Sequence, residues 1–186
     1  YYFGSLRKWF GISSGGFAWS DKRPIVEATE SENNIIVLRK AAMLQKSKYI
    51  RGESTEKDYL NLFLSAEKLL DNTSGIFSID KDDLARIPQI DMEKIKIRRR
   101  ENAFMLLEEL KLYCLFKEIK PKDCPLFVPI LVEHRDEIRR LLASEGIYCP
   151  VHWPLSKFHA IEDSAKSIYL SEISLVCDQR YDSRDM

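Results

Sequence analysis

Lys8 is the side chain of this sequence best suited to covalent chemistry. It follows the aromatic run at residues 1–3, and the glycine pair Gly15 and Gly16 stands seven and eight positions after it. A lysine in a semi-buried aromatic setting has a lowered pKa, so its neutral amine can form an imine with an aldehyde. Glycines allow the backbone to approach a bound group closely, and Ser5 could offer its hydroxyl to a phosphate. The same residues also fit solvated cations in a simple turn.

A histidine flanked by prolines and aromatics is the second candidate. His152 lies between Pro150 and Pro154, with Trp153 beside it. Prolines stiffen the end of a strand and could aim the imidazole into a cleft. There, histidine and tryptophan can bind a polar ligand by hydrogen bonding and stacking. The alternative is a histidine packed at the end of a strand.

The other basic and metal-binding residue types do not form sites by their spacing. Arg98, Arg99 and Arg100 are each turned by about 100° on a helix, so they spread around it and cannot form one patch. One of them could face a neighbour or a ligand. His152 and His159 are seven residues apart with no predicted helix between them, which is not the spacing of zinc ligands. We therefore expect no metal site.

Two short aromatic strands, residues 1–3 and 16–19, flank the candidate lysine. The spacing of apolar residues predicts four helices after them. These helices cover residues 31–51, 55–71, 81–87 and 91–115. Asp80 is expected to cap the third helix, and Pro88 is expected to end it.

After Pro121 the sequence changes to β-branched and aromatic runs. The predicted elements are a strand over 125–132, a helix over 134–144, and strands over 147–153 and 173–177. A series of strand, helix, strand and strand after a long helix is typical of a small α+β layer, a sheet with helices on one face. His152 would lie at the end of the second of these strands.

The composition is that of a globular protein with one domain, or one domain and part of another. The 186 residues are 45% hydrophobic, and 29 Lys and Arg balance 29 Asp and Glu. A dedicated nucleic-acid domain normally has a basic excess, so we expect no nucleic-acid partner. The longest apolar run, residues 124–132, contains two prolines and has less than half the length of a membrane helix, so we expect no membrane span.

The cysteines and the two ends of the chain indicate its setting. Four cysteines are present without a C-x-x-C pair, and the start lacks a charged segment followed by an apolar one. We therefore expect reduced thiols in a cytoplasmic protein. The chain opens on Tyr1, which reads as the middle of a strand, and ends on what reads as the start of a helix. We expect a fragment of a longer protein.

Taken together, these segments resemble the C-terminal half of a fold type I pyridoxal-phosphate enzyme, and more narrowly the DegT/DnrJ-type sugar aminotransferases. In that family the Schiff-base lysine precedes a Gly-Gly pair by seven and eight residues, as Lys8 precedes Gly15 and Gly16. In the family's small domain, a helix beginning near Arg-Asp leads to Gly-Ile and then to Val-His-aromatic-Pro. The matching residues here are Arg135, Asp136, Gly146, Ile147, Val151, His152, Trp153 and Pro154.

The resemblance implies an α/β fold: the C-terminal part of the fold type I transferase, with a remnant of the large-domain sheet, a long linking helix and a small α+β domain. Residues 1–80 would end the large cofactor-binding domain, and residues 81–186 would form the small domain. The implied activity is a pyridoxal 5'-phosphate-dependent aminotransferase of sugar or polysaccharide biosynthesis. It would transfer an amino group from an amino acid to a keto-sugar nucleotide or similar carbonyl compound, as a homodimer.

The family pattern also implies roles for individual residues. Lys8 would be the catalytic, cofactor-binding lysine, with Ser5, Gly15 and Gly16 as further cofactor contacts. The implied substrate contacts are His152, Trp153, Tyr49 and Arg51. The family's carboxylate for the pyridine nitrogen, its ring-stacking residue and its glycine-rich phosphate turn all lie upstream of the lysine.

Some positions depart from the family pattern. Phe3 stands where the family has a phosphate-binding serine, and Ser13 and Ser14 replace a Gly-Glu pair. The family's Asn-Tyr-Arg-Met segment has only a faint echo at residues 48–51. These departures favour an alternative, a non-catalytic relative that acts as a structural or interaction module. A third hypothesis, a module that binds a helix or peptide, rests on the amphipathic helices at 31–71, which are more simply core-facing.

Overall fold

The computed structural model describes residues 1–25, 28, 33–152, 155, 158 and 160–186. Over these residues the chain is a mixed α/β protein with helices and two small antiparallel sheets. It divides into two units, Tyr1–Ile90 and Asp91–Met186. None of the helices found in the described part of the chain has the length and apolar character that crossing a membrane requires.

A two-stranded hairpin opens the first unit and confirms the two predicted aromatic strands. β1, Tyr2–Ser5, pairs antiparallel with β2, Gly16–Trp19, so that Ser5 lies opposite Gly16. The rings of Tyr2 and Trp19 are cross-strand partners with centroids 5.2 Å apart, a pairing that stabilises the register. A short 3-10 helix, Leu6–Lys8, follows β1 directly and positions the candidate lysine.

Two helices that pack against each other follow the hairpin in the first unit. α1, Asn33–Ile50, and α2, Tyr59–Asp71, confirm the predicted helices at 31–51 and 55–71. Gly52 has a φ of +73°, a conformation that ends α1 and that glycine adopts without strain. The sequence also predicts a capping box of Thr29 and Glu32 at the start of α1, and both residues lie outside the described part of the chain.

α3, Lys81–Arg86, is the short third helix of the first unit. Asp80 caps it as predicted, since its side chain accepts hydrogen bonds from the backbone N–H groups of Asp82 and Asp83. The α-helix ends at Arg86, one residue short of the predicted end, which confirms that it stops before Pro88. Pro88 lies inside a 3-10 helix, Ile87–Gln89, because a residue without an N–H is tolerated in a first turn.

α4, Met92–Glu109, begins the second unit and is shorter than predicted. Asp91 caps its start by accepting a hydrogen bond from Lys94 N at 2.9 Å. The prediction that it continues to residue 115 is wrong. Cys114 instead forms a β-bridge with Ile130, and Leu115 N donates to Pro129 O at 2.9 Å, so a strand has taken the backbone groups that the helix would need.

The second unit is built around one antiparallel strand pair. β3, Phe127–Leu131, pairs with β4, Glu172–Val176, which confirms the predicted strands at 125–132 and 173–177. α5, Arg135–Ser144, confirms the predicted helix at 134–144, whereas α6, Asp163–Ser171, was not predicted. The buried core consists of Ala103, Leu106, Cys114, Val128, Ile130, Cys149, Ile173 and Cys177.

The strand predicted over residues 147–153 does not form in its described part, 147–152. The segment runs beside β4, but it makes a single backbone hydrogen bond to that strand, from Ser174 N to Pro150 O. Pro150 has no N–H with which to continue a ladder. His152 N donates instead to the carboxylate of Glu172 at 2.9 Å. A side chain therefore replaces the neighbouring strand as the partner of this backbone.

Candidate functional site

The 3-10 helix after β1 presents Lys8 to solvent. The residue is exposed, and its amine makes no hydrogen bond or ion pair with any residue that the structure describes. This position differs from the semi-buried aromatic setting expected from the sequence. Lys8 can therefore meet a dissolved aldehyde without first breaking an ion pair.

Arg7, the residue before Lys8, belongs to a charge cluster that sequence analysis missed. Arg39 of α1 is 5% exposed, and its Nη2 donates to Glu67 Oε1 at 2.7 Å, while Arg7 Nη1 lies 3.9 Å from the same oxygen. Burial, and next the charge of Arg39, lower the pKa of Arg7 despite the opposing effect of Glu67. Two guanidinium groups share one carboxylate, so the cluster has one positive charge in excess. The sequence does contain a signal for this cluster, because Arg39 lies within the apolar stripe of α1 that includes Ile35 and Ala42.

Ser5, Gly15 and Gly16 have distinct environments in the hairpin. Ser5 Oγ is buried and has no hydrogen-bond partner among the described residues. Gly15 has a φ of +107°, and a Cβ built on it would lie 2.7 Å from Ile79 Cδ1. A Cβ on Gly16 would lie 2.9 Å from Gly4 O across the strand pair. Both glycines are therefore required by the hairpin itself.

The loop between Lys8 and the glycine pair is held by a buried aspartate from α3. Asp83 Oδ2 accepts hydrogen bonds from Ser13 N at 3.1 Å, Ser13 Oγ at 2.6 Å, Ser14 N at 2.8 Å and Ser14 Oγ at 2.8 Å. Asp83 is 1% exposed. Burial raises its pKa, but the four hydrogen bonds favour the charged form more strongly, and the pKa lies below its usual value. Ser13 and Ser14, which depart from the family pattern, are thus held in place by Asp83. We call these three residues the Asp83 latch.

Tyr49 and Arg51, the predicted substrate contacts at the end of α1, are engaged with neighbours in sequence and space. The ring of Tyr49 lies 5.6 Å from that of Tyr59, and Lys57 Nζ lies 5.2 Å from its centroid. Arg51 Nε donates to Glu53 Oε1 at 2.5 Å, and this hydrogen bond raises the pKa of Arg51. Within the described residues, neither side chain forms a hydrogen bond or ion pair with Lys8.

His152, in the second unit, is held on three sides. Its backbone N donates to Glu172 Oε2 at 2.9 Å, and its Nδ1 lies 2.9 Å from Ser174 Oγ. Ser174 Oγ in turn donates to Glu172 Oε1 at 2.5 Å. The imidazole packs on Phe127 with ring centroids 4.7 Å apart. The residue as a whole is exposed, so an oriented imidazole faces solvent. Trp153, the next residue and also a predicted substrate contact, lies outside the described residues.

Two arginines of α5 donate to backbone carbonyls of the two segments that carry His152 and its partner Glu172. Arg135 Nη1 donates to Glu172 O at 3.0 Å, and Arg139 Nε donates to Cys149 O at 3.1 Å. Sequence analysis missed Glu172 and Ser174. The available signal was two polar residues at i and i+2 of a strand, where they occupy one face, on either side of the fully buried Ile173.

A cavity of about 730 Å³ lies in the second unit, and Phe127, which packs on His152, is part of its wall. Its other lining residues include Leu107, Phe116, Lys120, Cys124 and Pro129. All four cysteines are free thiols. Among the residues described, no group of histidine, cysteine, aspartate and glutamate side chains is arranged to hold a metal ion.

No protein-family model matches this chain, and a search of curated proteins found no match. Among solved structures, the chain is similar to the crystal structure of a DegT DnrJ EryC1 StrS aminotransferase from Brucella abortus. The two are 19% identical, and the TM-score is 0.44. The similarity covers 56% of this chain and 30% of that one, so this chain spans less than a third of that protein's length.

Proposed function

We propose that this chain is the C-terminal part of a pyridoxal-phosphate-dependent aminotransferase in which Lys8 anchors the cofactor. The supporting observation is the environment of Lys8, an exposed amine, unpaired within the described residues, at the end of the 3-10 helix that follows β1. The next strand, β2, begins at Gly16, and Gly15 directly precedes it, so the glycine pair stands at the family's spacing from Lys8. In this proposal residues 1–80 end the large domain and residues 81–186 form the small domain.

The residues around Lys8 fit a phosphorylated aldehyde. Ser5 Oγ is a buried hydroxyl without a partner in the described part of the chain, and a phosphate oxygen would satisfy it. The cluster of Arg7, Arg39 and Glu67 adds a positive excess next to Lys8, which favours an anionic ligand. Pyridoxal phosphate, when bound, supplies the electron sink for amino-group transfer. Lys8 supplies a nucleophilic amine and, once released, a group that can accept and return a proton at Nζ.

The substrates in this proposal are an amino acid donor and a keto-sugar nucleotide or similar carbonyl acceptor. His152 and Trp153 would line the acceptor site, with Tyr49 and Arg51 as further contacts. The imidazole of His152 is oriented and exposed, which suits the recognition of a polar acceptor. A cytoplasmic homodimer that serves sugar or polysaccharide biosynthesis completes the proposal.

Reductive trapping tests the proposed role of Lys8. The protein is incubated with pyridoxal phosphate, treated with borohydride and measured by intact mass and peptide mapping. We expect one predominant adduct, located on Lys8, that disappears in Lys8→Ala. Lys22→Ala is the matched control, because Lys22 is also an exposed lysine of the first unit. An adduct spread over several lysines and unchanged in Lys8→Ala would contradict the proposal.

A non-catalytic relative is the second candidate, and the Asp83 latch favours it. Asp83 gathers four hydrogen bonds from the loop between Lys8 and Gly15, so the protein's own carboxylate already satisfies that loop's donors. A loop held in this way does not offer those donors to a ligand. Trapping that is not selective for Lys8 would support this candidate.

A further inference from the structure

A buried carboxylate and a buried hydroxyl determine which nitrogen of His152 holds the ring proton. Glu172 and Ser174 lie on one face of β4, and each is 3% exposed. Glu172 accepts one hydrogen bond on each oxygen, from His152 N and from Ser174 Oγ. Ser174 Oγ also lies 2.9 Å from His152 Nδ1. The three residues form one continuous hydrogen-bonded chain.

The direction of each hydrogen bond in this chain follows from counting protons. A carboxylate can only accept, and a hydroxyl has a single proton to donate. The proton of Ser174 is therefore committed to Glu172, and the serine oxygen can only accept from the imidazole. Nδ1 of His152 must be the protonated nitrogen. In a neutral imidazole the other nitrogen, Nε2, then has the lone pair.

Nε2 is the nitrogen left available for a ligand. His152 is exposed, and in the part of the chain that the structure describes Nε2 has no hydrogen-bond partner. The Phe127 ring and the Ser174 hydroxyl restrict the rotation of the imidazole. The lone pair is therefore oriented before any ligand arrives, which reduces the entropy lost on binding.

We propose that His152 is a preset hydrogen-bond acceptor at Nε2 for a hydroxyl group of a small-molecule ligand, with Glu172 and Ser174 as its positioning residues. A hydroxyl donates to this lone pair, whereas a methyl ether of the same shape leaves it unpaired, so the site discriminates between the two. The proposal deepens the substrate-binding role proposed above. It depends on these three side chains and not on Lys8, so either proposal can fail while the other stands.

The tautomer is measured by long-range ¹⁵N–¹H NMR correlations of the histidine rings, with His152→Gln to assign the resonances. We expect His152 to have a protonated Nδ1 and an unprotonated Nε2 at a pH where the ring is neutral. His134 is the internal control, because it is exposed and its ring has no hydrogen-bond partner among the described residues. It should show the averaged signals of a free imidazole.

Glu172→Gln tests the same hydrogen-bonded chain, because it should move the ring proton of His152 to the other nitrogen. The backbone N–H of His152 needs an acceptor, so the glutamine carbonyl takes the place of Oε2, and its amide NH₂ faces Ser174. The amide donates to Ser174 Oγ, which frees the serine proton to donate to Nδ1. The ring proton should then move to Nε2, and the chemical shifts of the two ring nitrogens should exchange. Ser174→Ala should give the averaged signals of His134.

The ligand is tested with glucose as the hydroxylated probe and permethylated glucose as the control without hydroxyl donors. We expect glucose to shift the Nε2 resonance of the wild-type protein and permethylated glucose to leave it unchanged. In Glu172→Gln, Nε2–H becomes a donor to hydroxyl and ether oxygens alike, so the preference for glucose over permethylated glucose should be lost. A wild-type tautomer that is averaged, or that persists in both variants, would overturn the positioning role. The absence of any response to glucose, or an equal response to both probes, would overturn the hydroxyl site.

Discussion

Removing the carboxylate of the Asp83 latch should destabilise the first unit strongly. Asp83→Ala deletes the acceptor of four hydrogen bonds, all on Oδ2. Ser14 is partly exposed and can turn to water. Ser13 is 2% exposed, so its backbone N–H and its hydroxyl are left buried and unpaired. The cost is therefore dominated by the two donors of Ser13.

The magnitude follows from the cost of an unpaired buried donor. Each such donor costs about 1–3 kcal/mol, and a hydrogen bond to a charged group contributes about 1.5–3 kcal/mol. Four hydrogen bonds to one oxygen are not additive, so we count only the Ser13 pair and expect a loss of about 3–5 kcal/mol. Asp82→Ala is the matched control, since that side chain is 73% exposed. It removes only a surface ion pair with Lys40, so the free energy of unfolding should change by less than about 1 kcal/mol.

Native-state hydrogen exchange measures this effect at the residues concerned. The amides of Ser13 and Ser14 should exchange much faster in Asp83→Ala than in Asp82→Ala. Because the pKa of Asp83 is lowered in the folded state, its contribution is complete above the unfolded pKa of about 4 and is lost as the pH falls through the folded value. The reasoning would be refuted if the amides of Ser13 and Ser14 exchanged at equal rates in the two variants. It would also be refuted if the stability difference between wild type and Asp83→Ala did not decrease in acid.

Two further predictions concern a glycine and a thiol. Gly15→Ala should destabilise the hairpin by about 1–3 kcal/mol in urea unfolding, because its φ is +107° and the new Cβ would lie 2.7 Å from an isoleucine side chain. Gly11→Ala, which meets nothing within 4 Å, should be nearly neutral, and equal losses would contradict the strain argument. Burial raises the pKa of Cys177 to about 11, and the residue is 0% exposed. In native protein near pH 8 iodoacetamide should therefore label the partly exposed Cys124 well before Cys177, as read by peptide mass; simultaneous labelling would contradict the burial argument.

Local patterns in the sequence predicted most of the helices and strands. The periodicity of apolar residues located α1 and α2, and the β-branched runs located β3 and β4. Asp80 was recognised as a cap because capping depends on residues within one turn of each other. The candidate residues Lys8 and His152 were likewise identified from their immediate neighbours, and their roles remain predictions.

The partners of these candidates could not be predicted, because each comes from a distant part of the chain. Asp83 meets Ser13 across 70 residues, and Glu172 meets His152 across 20. Sequence periodicity indicates that a side chain faces inward, but not which side chain it will meet there. That is why Ser13 was recognised as a departure from the family pattern while its hydrogen-bond acceptor was missed.

The sequence by itself determined where the chain can form helices and strands, because helical and extended conformations depend on neighbouring residues. Only the tertiary structure decided where these helices and strands end, because their ends depend on hydrogen-bond partners from distant segments. α4 stops at Glu109 because the backbone beyond it pairs with β3, and residues 147–152 do not become a strand because His152 N donates to Glu172. Each backbone group needs one partner, and when two are possible the packing of distant segments selects between them.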